Sequence, residues 1–260
     1  MKRFISFSGG VESSTMCLLF GANAKAIFAD TGWEHKIMYE RIAKVEKEVK
    51  KLHPNFEIIR VKAKVKSQQH KKYFTNLKDY IEDFKYYPSP MMRYCTRIFK
   101  IEPIDKFLED QGDCELMIGL NADEGDKRTG NYGLNENVDY TYPLFENGIN
   151  RLSCKKILQK RNLLPSLPVY MQRGGCVGCF FKSAKEFKAM AVLNPKEFNE
   201  VKEVEAAIQD KRGNFFSIRD GIPSMRYLED DIKNSLFEPA EMYPENYEGR
   251  DTPCGVFCHR

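Results

Sequence analysis

No window of the 260-residue chain is apolar for long enough to span a bilayer, which needs about 20 consecutive apolar residues in a helix. A membrane partner is therefore not expected. Neither sign of charge dominates: 41 Lys+Arg stand against 37 Asp+Glu, a net charge of +4, so bulk charge gives no reason to expect a nucleic-acid partner. Internal repeats and low-complexity tracts are absent, which excludes a solenoid or a compositionally driven tail. The glycine-rich loop near the N-terminus also lacks the Lys-Ser/Thr pair of a Walker loop.

What is there describes a soluble globular protein. With 42% hydrophobic and 30% charged residues, the chain can bury a full core as one large domain or as a domain with a smaller appendage. The first residues carry glycines and serines where a secretory signal would need its apolar segment, so a cytoplasmic location is expected. Eight cysteines in that compartment would be reduced, and Cys-x-x-Cys spacing then points to metal or catalysis rather than to disulfides.

The chain is organised around Ser8-Gly9-Gly10-Val11-Glu12-Ser13-Ser14, which follows the apolar run Phe4-Ile5-Ser6-Phe7 and leads into Thr15-Met16-Cys17-Leu18-Leu19-Phe20. That succession reads as strand, tight loop and helix. Glycines allow a sharp turn and close approach, while N–H groups at a helix N-terminus and serine hydroxyls donate to anion oxygens. Next come a β-type run ending at Asp30-Thr31-Gly32, a helical pattern over Lys36–Leu52, and a strand pattern over Phe56–Val61. Such alternation implies a parallel sheet covered on both faces, with ligands at the carboxyl ends of its strands. Helical character is expected over Tyr73–Lys85 and Thr96–Glu109, a strand over Cys114–Leu120 ending in Asn121-Ala122-Asp123-Glu124 with Arg128 following, a mobile loop over Gly130–Asn137, and a polar helix near Arg151–Arg161. A boundary between Phe145 and Pro168 would separate residues 1–150 from a cysteine-bearing subdomain at 151–260.

Cys176-Val177-Gly178-Cys179, preceded by Gly174 and Gly175, has metal-knuckle spacing, and Cys254 and Cys258 form a second, wider pair. Together they supply four soft ligands for zinc or an iron–sulfur cluster. Cys95 lies among Arg93, Arg97 and Lys100, cations that would lower a thiol pKa; the alternative is a buried, inert cysteine on an amphipathic helix. Lys62, Lys64, Lys66, Lys71 and Lys72 read as a solvated loop, with a phosphate-bearing partner as the alternative.

The ordered set Ser8-Gly9-Gly10-x-Glu12-Ser13, Asp30-Thr31-Gly32, Cys95-x4-Lys100-x2-Pro103, Gly119-x3-Asp123-Glu124-x3-Arg128, Tyr142-Pro143-Leu144 and Cys176-x2-Cys179 resembles the phosphoadenosine-phosphosulfate (PAPS) reductase branch of the PP-loop ATP pyrophosphatases. The resemblance runs to about Lys182. It implies an adenine nucleotide α-hydrolase-like α/β fold, a doubly wound parallel sheet in strand order 3-2-1-4-5. Ser8, Gly9, Gly10, Ser13 and Ser14 would then bind the phosphates of ATP or a related adenine nucleotide, and Asp30, Thr31 and Gly32 would line its pocket. Glu12 stands where the family has Asp and would hold Mg²⁺, while Lys100 and Arg128 would face the sulfate or phosphate end. Cluster-bearing relatives hold a 4Fe-4S cluster on a Cys-Cys pair and a later Cys-x-x-Cys. Here Tyr94 replaces the first of that pair, leaving Cys95, Cys176 and Cys179, with Cys254 or Cys258 as the remaining ligand; Zn²⁺ is the alternative. The reductases end in Glu-Cys-Gly-Ile/Leu-His, whereas this chain has Pro253-Cys254-Gly255-Val256-Phe257.

These features set an expectation of an enzyme acting at the α-phosphate or at an attached sulfonyl group, in sulfur transfer or in adenylation of a nucleic-acid base or small molecule. The alternatives are a sulfonucleotide reductase that uses Cys254 and a thiol reductant, and a non-catalytic nucleotide-binding module stapled by zinc. A zinc-stapled nucleic-acid adaptor is a further alternative, resting on the lysine-rich loop.

Overall fold

The computed structural model describes residues 1–67, 71–124, 135–172, 174–212, 217–218 and 221–234. Arg128, Cys254, Cys258 and residues 130–134 of the expected loop lie outside them. The strands, in chain order, are β1 (Lys2–Ser6), β2 (Lys25–Ala29), β3 (Ile58–Val61), β4 (Val65–Lys66), β5 (Tyr73–Phe74), β6 (Cys114–Met117) and β7 (Val138–Thr141). Five of them form one sheet in the order β3-β2-β1-β6-β7, and every ladder in it is parallel. With the small antiparallel hairpin β4-β5 set aside, this is the expected order 3-2-1-4-5.

Side-chain alternation builds two cores from one sheet. Phe4, Ile27 and Leu116 join Leu108 and Val138 on one face. Their chain neighbours Ile5, Phe28 and Met117 join Met16, Ile42 and Val45 on the other, as the period of two requires. The helix α1 (Val11–Phe20) and the helix α2 (Lys36–Lys50) lie on the second face. Met38, Ile42, Val45 and Val49 form the buried stripe of α2, each contributing about 1.5–3 kcal/mol on full burial. Helix Arg151–Gln159 sends Cys154 and Leu158 into that same core.

A third cluster is strongly aromatic, with Trp33, Tyr80, Tyr87, Tyr94, Phe99, Tyr170 and Phe187. Helices Ala184–Leu193, Pro195–Arg212 and Met225–Lys233 enclose it. The first of these opens with a reciprocal cap: Ser183 Oγ accepts from Glu186 N at 3.3 Å, and Glu186 Oε2 accepts from Ser183 N at 2.8 Å.

Two expected helices begin elsewhere. Tyr73 and Phe74 pair with Lys66 and Val65 in the hairpin, and the helix α3 starts only at Leu77 and runs to Phe84, because Asn76 caps the N–H groups of Lys78 and Asp79. The segment expected from Thr96 starts at Tyr94 as a short turn α4 (Tyr94–Thr96), widens into a π-turn over Arg97–Ile101, and continues as α5 (Glu102–Glu109). Pro103 explains the widening. It has no N–H for the Phe99 carbonyl and its ring would crowd that carbonyl in a regular α-turn. No helix among the described residues is long and apolar enough to cross a membrane.

Candidate functional site

At the carboxyl end of β1 the chain enters the loop 8–14. Gly9 adopts φ +75°, a left-handed conformation that costs an L-residue roughly 1–2 kcal/mol. Its missing Cβ would point into the protein, 2.8 Å from Met38 Cε. The requirement for glycine here is therefore backbone shape; at Gly10 a Cβ would approach Ser8 Oγ at 3.3 Å. Gly10 precedes α1, and no described side chain caps that helix. The N–H groups of its first turn are thus available to an anion. Ser13 Oγ accepts from Ser8 N at 3.3 Å and stands 3.3 Å from Ser8 Oγ, which ties the two ends of the loop together while leaving Ser8 exposed.

Arg41 supports the loop from below. Its Nε donates to Gly9 O at 2.5 Å, and its two other nitrogens donate to Leu163 O at 3.0 Å and Ser14 Oγ at 3.2 Å. Burial lowers the Arg41 pKa to about 10, which keeps it charged at neutral pH. Ser14 is fully buried, and its hydroxyl oxygen is engaged on this inner side. The sequence reading missed Arg41; its signal was a cation within the apolar stripe of α2, between Met38 and Ile42.

Glu12 sits in the first turn of α1, beneath the end of β6. Gly119 allows that approach, since its Cβ would stand 3.3 Å from Ser13 N. Glu12 Oε1 accepts from Asn121 Nδ2 at 3.2 Å and from Arg151. Asn121 also donates to Glu124, at 3.1 Å, and Asp123 accepts the Arg151 backbone N–H at 3.2 Å. The polar ends of β1 and β6 are therefore one hydrogen-bonded rim, with Asn121 and Arg151 as members that the sequence reading did not single out.

The end of β2 forms the adjacent wall. Asp30 is buried; its Oδ1 accepts from Gly32 N at 2.9 Å and Tyr39 OH at 2.7 Å, and Lys62 Nζ lies 3.2 Å from Oδ2. Burial first, and then Asp30, raise the Tyr39 pKa. Thr31 is fully buried and donates to Glu34 at 3.0 Å, while Gly32 takes φ +72° against Asn76. Lys100 is half-buried on the π-turn.

The cysteine segment is fastened to that wall. Glu34 and Cys176 form an antiparallel bridge, flanked by His35 N to Gly175 O at 2.8 Å and Val177 N to Trp33 O at 3.0 Å. The Cys176 thiol donates to Glu34 Oε1 at 3.2 Å. Tyr87, wholly enclosed, donates to Gly178 O at 2.6 Å. Burial first, and then the neighbouring Cys179 and Tyr94, hold its pKa far above the usual tyrosine range. Cys95, Cys176 and Cys179 form no disulfide among the described residues and are half-exposed. Among the described residues no three His, Cys, Asp or Glu side chains come together as a metal cage. Cys254 and Cys258, the other thiols of the expected ligand set, lie outside the described residues.

Behind the bridge, His35 is fully buried with Nδ1 2.5 Å from Glu197 Oε2. Burial, and then nearby Lys182, lower its pKa to about 4 against the opposing pull of Glu197, so it is neutral near pH 7. Lys182, also fully buried, donates to Tyr170 O at 2.6 Å.

A family model of the phosphoadenosine phosphosulfate reductase domain matches residues 2–184, from β1 through the cysteine segment. The chain belongs to the phosphoadenosine phosphosulfate reductase family. The five-stranded parallel sheet is consistent with the Rossmann-like fold of that family. The chain is also 25% identical over 199 residues to an uncharacterized protein of Methanocaldococcus jannaschii, MJ0066, a match covering 72% of this chain and 37% of that protein. The chain thus spans well under half the length of this relative. Family membership places the loop 8–14, the Asp30 wall and the Cys176 segment within one matched domain; the last matched residue, Ala184, opens helix Ala184–Leu193.

Proposed function

We propose that this member of the PAPS reductase family binds ATP or a related adenine nucleotide on the loop 8–14 and acts at its α-phosphate or at a sulfonyl group attached there. The observation that carries the reading is the uncapped start of α1 behind a left-handed Gly9, at the carboxyl end of the central strand. Backbone N–H groups and the Ser8 hydroxyl would hold phosphate oxygens, and donors fixed in advance favour charge that develops during the reaction. Glu12 would hold Mg²⁺, and that ion would supply Lewis-acid polarisation of the phosphate. Lys100, and Arg128 beyond the described residues, would face the reacting group. The second substrate would be a nucleic-acid base or small molecule receiving an adenylyl group or sulfur.

The family match itself favours a second reading, reduction of a sulfonucleotide. There the Cys254 thiol would attack the sulfonyl sulfur and expel the nucleotide, and a second thiol would then displace sulfite, leaving a disulfide. Anaerobically purified protein should be incubated with ATP or with adenylyl sulfate and reduced thiol, and pyrophosphate, AMP and sulfite measured. Pyrophosphate or AMP from ATP supports the first reading, and sulfite supports the second. Tight ATP binding with none of these products would leave a nucleotide-binding module. Iron, zinc and sulfide assays on the same sample test whether Cys95, Cys176 and Cys179 act as thiolate ligands with Cys254 or Cys258.

A further inference from the structure

We propose that Arg151 is a phosphate-responsive positioning residue, held on Glu12 in the free protein and drawn to the nucleotide's anionic group when the loop 8–14 is filled. The inference rests on the nucleotide reading and adds a residue that the loop motif does not contain.

The main-chain position of Arg151 is fixed. Its backbone N–H is bound by Asp123, and Asn150 caps its helix by accepting from Ser153 N at 2.9 Å. Its side chain is less completely satisfied. One terminal nitrogen meets Glu12 Oε1, yet the buried Nε finds no acceptor among the described residues. A guanidinium is a rigid fork of five donors suited to bidentate contact with phosphate or sulfonate oxygens, and a buried donor without an acceptor is a rare and costly arrangement. Its contact with Glu12 sets the guanidinium beside the first turn of α1, where an anion seated on the uncapped start of that helix would offer it an acceptor.

Glu12 shows the complementary asymmetry. Oε1 receives both Asn121 and Arg151, whereas no described donor reaches Oε2. A shift of Arg151 toward phosphate leaves Asn121 to keep the carboxylate oriented and exposes more of its charge to a divalent cation. Ligand anion and cation would thus be coupled through one ion pair.

The test compares equilibrium binding of ATP, adenylyl sulfate and adenosine to the full chain and to Arg151→Ala and Arg151→Lys, with and without Mg²⁺. For Arg151→Ala we expect about 10- to 100-fold weaker binding of the anionic nucleotide, the range for a lost charged hydrogen bond. Adenosine affinity should stay within about twofold by the same reasoning, since it carries no phosphate. Arg151→Lys should recover part of the loss, because it restores charge without the fork. If Arg151→Ala binds anionic nucleotide as the full chain does, the inference fails while the nucleotide reading stands. Equal losses for nucleotide and adenosine would assign Arg151 to holding the fold, and also overturn it. Failure of the unaltered chain to bind either nucleotide removes both readings.

Discussion

The loop 8–14 and the segment 174–182 both turn on glycines and both meet the α2 region, yet their polar groups are arranged differently. In the loop, Arg41 and Ser13 fasten the inner side while the outer donors of α1 remain open. In the cysteine segment, Gly178 lies against Trp33 and Tyr87 so closely that a Cβ would collide with the Trp33 ring and the Tyr87 hydroxyl. Its carbonyl and those of Gly175 and Trp33 are bound by protein donors. In one region glycine sets the turn that precedes the uncapped start of α1, and in the other it lets protein pack on protein. Glycine count alone does not distinguish them; the atoms opposite do.

The contrast should break most severely at Gly178. Gly178→Ala must displace two ring systems in a packed core, and we expect a stability loss of about 3 kcal/mol or more, at the upper end for overpacking. Urea denaturation would measure it. A loss below about 1 kcal/mol would show that the Trp33–Tyr87 contact yields easily and that the packed side of the comparison is overstated.

A second test uses pH on the same packed side. The His35 pKa is lowered to about 4 in the folded protein from about 6.5 in an unfolded chain. The unfolded state therefore binds the extra proton first as pH falls. Stability from this site is fully present above about pH 6.5 and is lost progressively toward about pH 4, on the order of 3 kcal/mol in total. Comparing denaturation midpoints of the unaltered chain and His35→Gln across that window should remove this component in the variant. An unchanged pH slope would refute the buried neutral assignment.

The smallest effect is expected in the open loop. Gly9→Ala forces a left-handed alanine, about 1 kcal/mol of strain, and moves the flexible end of Met38. Stability should fall by about that amount, and nucleotide affinity by about tenfold as the loop relaxes its shape. Calorimetric titration with ATP would report it, and an unaltered affinity would remove Gly9 from the proposed cradle.

Much of the architecture was legible because its signals are local. The run Phe4–Phe7 into Ser8–Ser14, and the stripe Ile42, Val45 and Val49, carry periodicities that no partner needs to complete; Met38, not Ile37, begins the buried stripe. Where a local rule failed, another local force had won: Asn76 moved the start of α3, and Pro103 widened the turn before α5. The candidate site was legible only as a list of residues. Its support was not, because Arg41 reaches Gly9 across 32 positions, Arg151 reaches Glu12 across 139, and His35 reaches Glu197 across 162.

By itself, then, the amino-acid order determined the first strand–loop–helix units and which face of each is apolar, since those depend on backbone sterics and side-chain spacing over a few residues. Only the tertiary structure decided which charge meets which. Parallel strands bring their carboxyl ends to one rim whatever their distance in the chain, and that rim set Arg151 on Glu12, Arg41 under Gly9, and Cys176 beside Glu34.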